Sequence, residues 1–437
     1  MLLLFEVENY KSFRTKAVFS MTAATRQTGL DYSIMHEEIG QKKYSGLSSA
    51  VIYGPNASGK TNLIGAMDTM RAILLRGNIR NADVMSTPNQ AAYMLEYIPN
   101  IHDTVTPTSF SIQFTENGMV FEYSFSALLG SFLEQSLTRS IKSESLSVNN
   151  KQIFAREQNR LKLNHKAIPK EYLTENGVSV SSINAIAESS LNTEELFLCN
   201  GFKTIFSKEL FAIIQNWFEN KFIVIYRSDA IRILKRFADP RDKTIYVEKT
   251  LNDIAKEFGI TSNALGYRMN DDDSELCSVF KEQQVAIPAE NFESYGTIRL
   301  ITEYPLIIRA LLNGATLVMD EFDASLHPSA LMSIINIFHN DDINKLHAQL
   351  IFNTHNPIFL NASLFRRDEI KFVERDETTG FSTHYALSDF KTAQGIRKGE
   401  DYMSNYFVSR YGAIKDIDFS TIMEEIMADV VEESKHG

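Results

Sequence analysis

Gly54-Pro55-Asn56-Ala57-Ser58-Gly59-Lys60-Thr61 stands directly after the apolar run Leu47 to Tyr53 and fits the phosphate-loop pattern G-x-x-x-x-G-K-[ST]. The pattern needs these residue types. Glycines let backbone N–H groups wrap an anion closely, the Lys60 ammonium neutralises the β and γ oxygens of a nucleoside triphosphate, and the Thr61 hydroxyl is offered to Mg2+. Asn62 leads into a helix whose apolar side is Leu63, Ile64, Met67, Met70 and Ile73, and the positive end of its dipole adds to the anion site. Strand, glycine loop and amphipathic helix in that order predict an α/β fold built around a nucleotide cradle from Gly54 to Asn62.

Such a cradle requires acids on a neighbouring strand, and Thr316-Leu317-Val318-Met319-Asp320-Glu321 supplies them. Asp320 is placed to hold Mg2+ through its water shell, and Glu321 to polarise an attacking water as general base. Adjacent acids after a strand are common at turns, so the pair gains meaning from its neighbours in the chain. Asp323-Ala324-Ser325-Leu326-His327-Pro328 comes directly after it, and the buried-strand run Gln349 to Asn353 then opens into Thr354-His355-Asn356-Pro357. His355 thus falls at the carboxyl end of a parallel strand, the edge at which ligands of such sheets bind.

The remaining chain is organised around these two segments. Its 437 residues, 44% hydrophobic, are ample for two or three domains with real cores. A net charge of −11 argues against a generic basic nucleic-acid coat while leaving room for a local basic groove. Cys199 and Cys277 lie far apart without metal spacing and read as core thiols. Met1 to Phe5 lacks a basic flank, and the apolar runs are too short to span a bilayer, so a soluble, cytoplasmic protein with no membrane partner is expected.

Residues 1–130 alternate short strands with turns, including a hairpin around Glu116-Asn117-Gly118. Residues 131–285 change character: a basic, polar stretch leads into helical periodicity through Ile205, Phe206, Leu210, Ile213, Ile214 and Trp217, which predicts an inserted, mainly helical lobe. Residues 286–437 return to alternating strands and helices. They close on an amphipathic helix whose apolar face is Ile422, Met423, Ile426, Met427, Val430 and Val431, equally suited to packing on its own domain or to binding a partner.

Taken together, the phosphate loop, the Asp320-Glu321 pair, the D-loop-like segment from Asp323 and the switch-like His355 resemble the ABC-type ATPase heads of the RecF, SMC and Rad50 group. Glu293-Ser294-Tyr295-Gly296-Thr297 stands where these heads carry their signature, and Asn9-Tyr10-Lys11-Ser12-Phe13 resembles the N-terminal motif in which a strand turns over the nucleotide. Arg366-Arg367-Asp368-Glu369-Ile370 and Arg410-Tyr411-Gly412-Ala413-Ile414 add a narrower resemblance, to bacterial abortive-infection ATPases of the RloA/AbiL type and the ATPase of the PARIS antiphage system.

The resemblance implies an ABC-type P-loop head using ATP and Mg2+. It would work as an ATP-sandwich homodimer or higher oligomer, with Ser294 and Gly296 of one copy capping the γ-phosphate held by Lys60 of the other. His355 would report the γ-phosphate, Asp323 would couple the two sites, and Lys11 or Ser12 would touch nucleotide. Gln90 is the candidate Q-loop residue beside the metal. A separate effector, such as a TOPRIM-like nuclease toxin, and a phage trigger would be the partners.

Other signals carry less. Arg160 to His165 fits the loose R-x4-6-H pattern of HEPN ribonucleases but lacks the usual polar residue after the arginine, and Asp271-Asp272-Asp273 lacks the strand and glutamate of a TOPRIM centre. Lys142, Lys151, Arg156, Arg160, Lys162, Lys166 and Lys170 form a basic tract that reads first as a solvated loop, ahead of a contact for nucleic acid or for an acidic partner. A RecF/Rad50-like DNA-binding ATPase of repair is the competing reading; a transporter subunit would keep loop and signature closer together.

Overall fold

Runs 49–53, 316–319 and 349–353 show no polar alternation, as expected of strands covered on both faces, and each is wholly buried in the computed structural model. The structure describes every residue except 26, 81–99, 101, 103–104, 130–138, 173–179, 227–244, 247–248, 258–259, 262, 270–273, 325, 391–399, 416–417, 425 and 428–437. Gln90, Asp271 to Asp273, Ser325, Val430 and Val431 therefore lie outside the described residues.

The three runs are β5 (Ser49–Tyr53), β16 (Thr316–Met319) and β17 (Gln349–Asn353). They centre a six-stranded sheet of order β11 (Phe222–Ile225), β16, β17, β5, β18 (Ile370–Arg375), β19 (Ser382–Ala386). All neighbours are parallel except the β18–β19 hairpin. The carboxyl ends of β5, β16 and β17 thus share one edge, where the phosphate loop, Asp320 and Thr354 emerge.

A second sheet is antiparallel throughout: β10 (Arg160–Leu163), β9 (Lys151–Glu157), β8 (Ser140–Val148), β7 (Met119–Leu128), β6 (Thr108–Glu116), β1 (Leu2–Glu8), β2 (Ala17–Ser20). Its strands alternate cleanly. Phe110, Ile112, Phe121, Tyr123, Phe125 and Leu146 face the core, whereas Ser109, Ser111, Ser124, Ser126, Ser143, Ser145 and Ser147 make up much of the other face. Hydroxyls there pair across strands, Ser124 with Ser145 at 2.8 Å and Ser126 with Ser143 at 2.6 Å. Smaller sheets are the hairpin β3 (Ile34–Ile39) and β4 (Lys42–Leu47), and the ribbon β12 (Ile245–Tyr246), β13 (Ala264–Met269), β14 (Ser274–Phe280), β15 (Val285–Pro288).

Helix α1 (Lys60–Arg76) is buried between the two large sheets through Leu63, Ile64, Met67, Met70 and Ile73. Between the sheets Trp217 stacks on Phe114 of β6 at 3.9 Å and on Phe222 of β11 at 5.1 Å between ring centroids. It follows α2 (Val180–Ser189), α3 (Lys203–Ile205) and α4 (Lys208–Asn216). Past α5 (Lys249–Glu257), the opposite face of the parallel sheet is covered by α6 (Tyr295–Asn313) and α7 (Pro328–Phe338), with α8 (Tyr402–Phe407) packed at its side.

The hairpin around Asn117 is β6–β7, with Asn117 and Gly118 both at positive φ, the turn that matches strand twist. The span 131–285 differs from the mainly helical lobe expected. Within its described residues β8 to β10 extend the antiparallel sheet, β11 edges the parallel sheet, and β12 to β15 form a ribbon. The basic tract also divides. Lys151, Arg160, Lys162 and Lys166 are exposed, but Arg156 is buried 3.7 Å from Glu144 and donates to the carbonyls of Glu195, Gln158 and Asn192. Glu144 in turn accepts from the Phe197 and Leu198 amides and from Tyr123, as a buried charge must. Both arginine-rich motifs are structural pins: Arg366 grips Asp368 with two bonds of 2.9 Å, Arg367 donates to the carbonyls of Leu387 and Phe390, and Tyr385 donates to the Tyr411 carbonyl at 2.7 Å. Near the C-terminus, the described residues from 420 to 427 are helical, with Ile422, Met423, Ile426 and Met427 of the expected apolar face exposed.

His384 of β19 packs against Phe19 at 5.4 Å, and burial, reinforced by the Lys371 charge, pushes its pKa from 6.5 down to about 3. The fold therefore favours the neutral ring, and the stability this contributes is present above the unfolded value and lost as pH falls from 6.5 toward 3. Between pH 7 and 5 we expect the parent to lose up to about 1.4 kcal/mol per pH unit from this group, and His384→Gln to flatten that slope in urea titrations. Parallel pH profiles for the two proteins would remove His384 as the cause.

Candidate nucleotide site

The loop between β5 and α1 is shaped by its glycines. Gly59 sits at φ 112°, and a Cβ there would come within 2.5 Å of the Ser382 hydroxyl and 2.8 Å of the Ser12 hydroxyl. At Gly54 it would strike the Val373 carbonyl oxygen. Lys60 is buried and donates to the carbonyls of Gly54 at 2.8 Å and Pro55 at 3.1 Å, so its ammonium closes the loop on itself. Burial lowers its pKa to about 8, against the opposing pull of Asp320, Glu321 and Asp323. The buried Ser58 hydroxyl has no hydrogen-bond partner among the described residues. Pro55, Asn56 and Ala57 form the crest of the loop, with Ala57 at φ 63° and its carbonyl 3.4 Å from an Arg375 guanidinium nitrogen.

Thr61 and Asp320 meet. The Thr61 hydroxyl donates to Asp320 Oδ1 at 3.1 Å, and the side-chain amide of Asn353, last residue of β17, donates to the same oxygen at 2.5 Å. The side-chain oxygen of Asn353 accepts from the Glu321 N–H, and Arg299 of α6 donates to the Glu321 carbonyl at 2.6 Å while bonded to Glu303 at 2.8 Å. Both peptide groups flanking Glu321 are thereby held, and the residue sits exposed at φ 52°. Asn353 and Arg299 carry no signal in the sequence beyond lying in a strand run and a helix.

Thr354 donates to Asp323 at 2.5 Å, and burial raises the Asp323 pKa against that bond and the nearby His355 and Arg299. His355 is exposed on the same edge, its pKa lowered by partial desolvation and then by the Lys60 charge, with Asp323 and Glu321 opposing. Ser294 caps α6, accepting from the Thr297 amide at 3.2 Å, and lies exposed beside Phe292 and Tyr295, with Gly296 in the first turn. Lys11, at φ 47°, donates to the Tyr226 hydroxyl at 3.0 Å, whereas Ser12 is the residue that meets the loop, accepting from Asn62 at 2.8 Å. Tyr226 follows β11, the strand beside β16, so a tyrosine stands at the carboxyl end of that strand.

The donor set suits a nucleotide with Mg2+. A cradle too tight for a Cβ, an ammonium, and the hard oxygens of Thr61 and Asp320 match phosphate and a small divalent ion. Among the described residues no group of three or more His, Cys, Asp or Glu could hold a metal by itself. Among those residues no helix is long and apolar enough to cross a membrane.

A phosphate loop on the inner strand of a parallel sheet, an acid pair on the strand two places away and a histidine after the strand between them define an ABC-type P-loop ATPase head. The chain belongs to the family described as "AAA domain, putative AbiEii toxin, Type IV TA system", whose model matches residues 49–361. No curated protein matches it. Among solved structures it is similar to the SMC head domain from Thermotoga maritima, at 14% identity over 88% of this chain and 98% of that one with a TM-score of 0.35. It is also similar to the Smc head domain with an extended coiled coil from Pyrococcus furiosus, bound to the C-terminal domain of ScpA, at 12% identity over 88% and 96% with a TM-score of 0.37.

Asn353→Ala should leave Asp320 with one donor fewer and the Glu321 N–H without its acceptor. We expect a loss of about 1–3 kcal/mol of unfolding free energy, read from urea midpoints. An unchanged midpoint would mean that water takes over both bonds.

Proposed function

We propose that this chain hydrolyses ATP between paired heads and uses the ATP-held pairing to control a separate effector in bacterial antiphage defence. One observation carries the hydrolytic part: Lys60, Thr61, Asp320, Glu321 and His355 converge on one sheet edge. The exposed signature turn supports the pairing. Its Ser294 hydroxyl bonds only within its own turn among the described residues, which suits capping a phosphate held by a second copy.

The roles follow from the geometry. Loop amides and Lys60 hold the β and γ phosphates of the substrate, and a phosphate beside Lys60 favours its charged form over the value of about 8 set by burial. Glu321, with its backbone anchored on both sides, orients and deprotonates the attacking water. His355 faces the γ position and distinguishes its presence from its absence. Mg2+, held by Thr61 and Asp320, would neutralise phosphate charge. Loss of the γ-phosphate removes the contacts joining two heads, and a differential affinity of a few kcal/mol is enough to release a bound effector. The family description, which names a putative AbiEii toxin and a Type IV TA system, supports the defence setting.

Lys60→Ala should abolish ATP binding in calorimetry. Glu321→Gln should bind ATP, lower kcat by about 100-fold or more, and run as a dimer with ATP in size-exclusion chromatography. Parent-like hydrolysis by both variants would refute the site. Purification of the tagged chain from its native operon, with and without Mg-ATP, tests the wider role. A stoichiometric nuclease-like protein retained according to nucleotide is expected, whereas a bare dimer hydrolysing ATP only with DNA would favour a RecF/Rad50-like activity.

A further inference from the structure

Three side chains that the phosphate chemistry does not use stand together beside the loop. The Arg14 guanidinium lies over the Phe381 ring at 5.1 Å, and the His102 ring meets the same phenyl group edge-on, with centroids 5.4 Å apart and planes at 73°. All three are carried by segments tied to the loop. Arg14 follows Ser12, whose hydroxyl accepts from Asn62 and whose carbonyl accepts from the Ser382 amide at 2.8 Å. Phe381 precedes Ser382, whose hydroxyl donates to the Ser58 carbonyl at 2.5 Å. His102 is held through Asn100, which donates to the Lys11 carbonyl at 2.7 Å and accepts from the His102 amide at 3.0 Å.

The position of this cluster relative to the metal end of the site gives it meaning. Thr61 turns toward Asp320, whereas the next residue, Asn62, turns toward Ser12. With the γ end of a triphosphate pinned at Lys60, Thr61 and Asp320, the nucleoside end leaves on the Asn62 side. There it meets Arg14 and His102, both exposed, and the half-buried Phe381. A guanidinium held over a phenyl ring offers a flat, delocalised cation, a surface on which a purine lies well and which a lysine cannot provide.

We propose that Arg14, held over Phe381 with His102 against the same ring, is the platform for the nucleobase and sets the preference for a purine. The platform rests on the proposed role of the loop as a nucleotide site. Base stacking is carried here by a residue of the β18–β19 hairpin and one of the N-terminal segment, the same two segments that already clamp the loop.

The test uses calorimetry on the full chain with three probes in Mg2+: ATP, CTP and inorganic tripolyphosphate, which has no base. Phe381→Ala and Arg14→Ala should each weaken ATP about 10- to 100-fold and narrow the ATP-to-CTP ratio, while tripolyphosphate affinity stays within about twofold. Arg14→Lys, which keeps the charge and loses the plane, should behave nearer to Arg14→Ala than to the parent. Unchanged ATP affinity in both alanine variants overturns the platform, as does an equal loss of ATP and tripolyphosphate, which would make the hairpin a support for the loop alone. A parent that binds neither ATP nor tripolyphosphate overturns the nucleotide site itself and the platform with it. A parent that binds tripolyphosphate and does not discriminate ATP from CTP overturns the platform only.

Discussion

The carboxylate of Asp320 is almost wholly removed from water, and a charge so placed must be met by hydrogen-bond donors or be expelled. Its donors include groups from two other elements: Thr61 at the start of α1 and Asn353 at the end of β17. That single requirement aligns the helix, the β16 end and the β17 end to within hydrogen-bonding reach of one another. Asn353 then passes the constraint on by accepting from Glu321, and Thr354, the next residue, holds Asp323. The geometry of this sheet edge is thus largely the set of positions in which this buried charge is satisfied.

A second constraint acts from the opposite side of the loop. Gly59 leaves no space for a side chain because Ser12 and Ser382 press on it, one from the N-terminal segment and one from the last hairpin of the parallel sheet. The loop is clamped between segments distant in sequence, with Tyr10 reaching further along α1 to bond Thr69 at 2.9 Å. A preformed cradle of this kind needs little reorganisation to meet a phosphate.

Much of this was legible in the residues. Gly54 to Thr61 and Asp320-Glu321 are local patterns in which chemistry dictates residue type, and the unbroken apolar runs of β5, β16 and β17 mark strands buried on both faces. What resisted reading is non-local. The β8 segment Ser140–Val148 carries Lys142, Glu144 and four serines, so its composition resembles a polar loop, and only pairing with β7 makes its alternation a strand. Phe222–Ile225 joins β16 nearly a hundred residues later, a partnership no local period can show. Asn353 and Arg299 look like ordinary strand and helix residues, because their roles depend on which backbone groups the fold brings opposite them. Arg156 read as part of a basic surface because its burial follows from Glu144 across the sheet.

The serine face of the antiparallel sheet bears on life in a crowded solution. A broad exposed sheet invites other sheets to lie flat against it, and that stacking is driven by apolar side chains that interdigitate. Here the side chains are polar, serines with Gln113, Glu122 and Lys142 among them, and four of the hydroxyls are already engaged with each other across the strands. A second sheet laid upon them would displace water from polar groups and gain almost no apolar contact in return. The serine-lined part of this face therefore offers little adhesive surface, while Leu3 and Val120 on the same side are covered by Met35 and Ile39 of the β3–β4 hairpin.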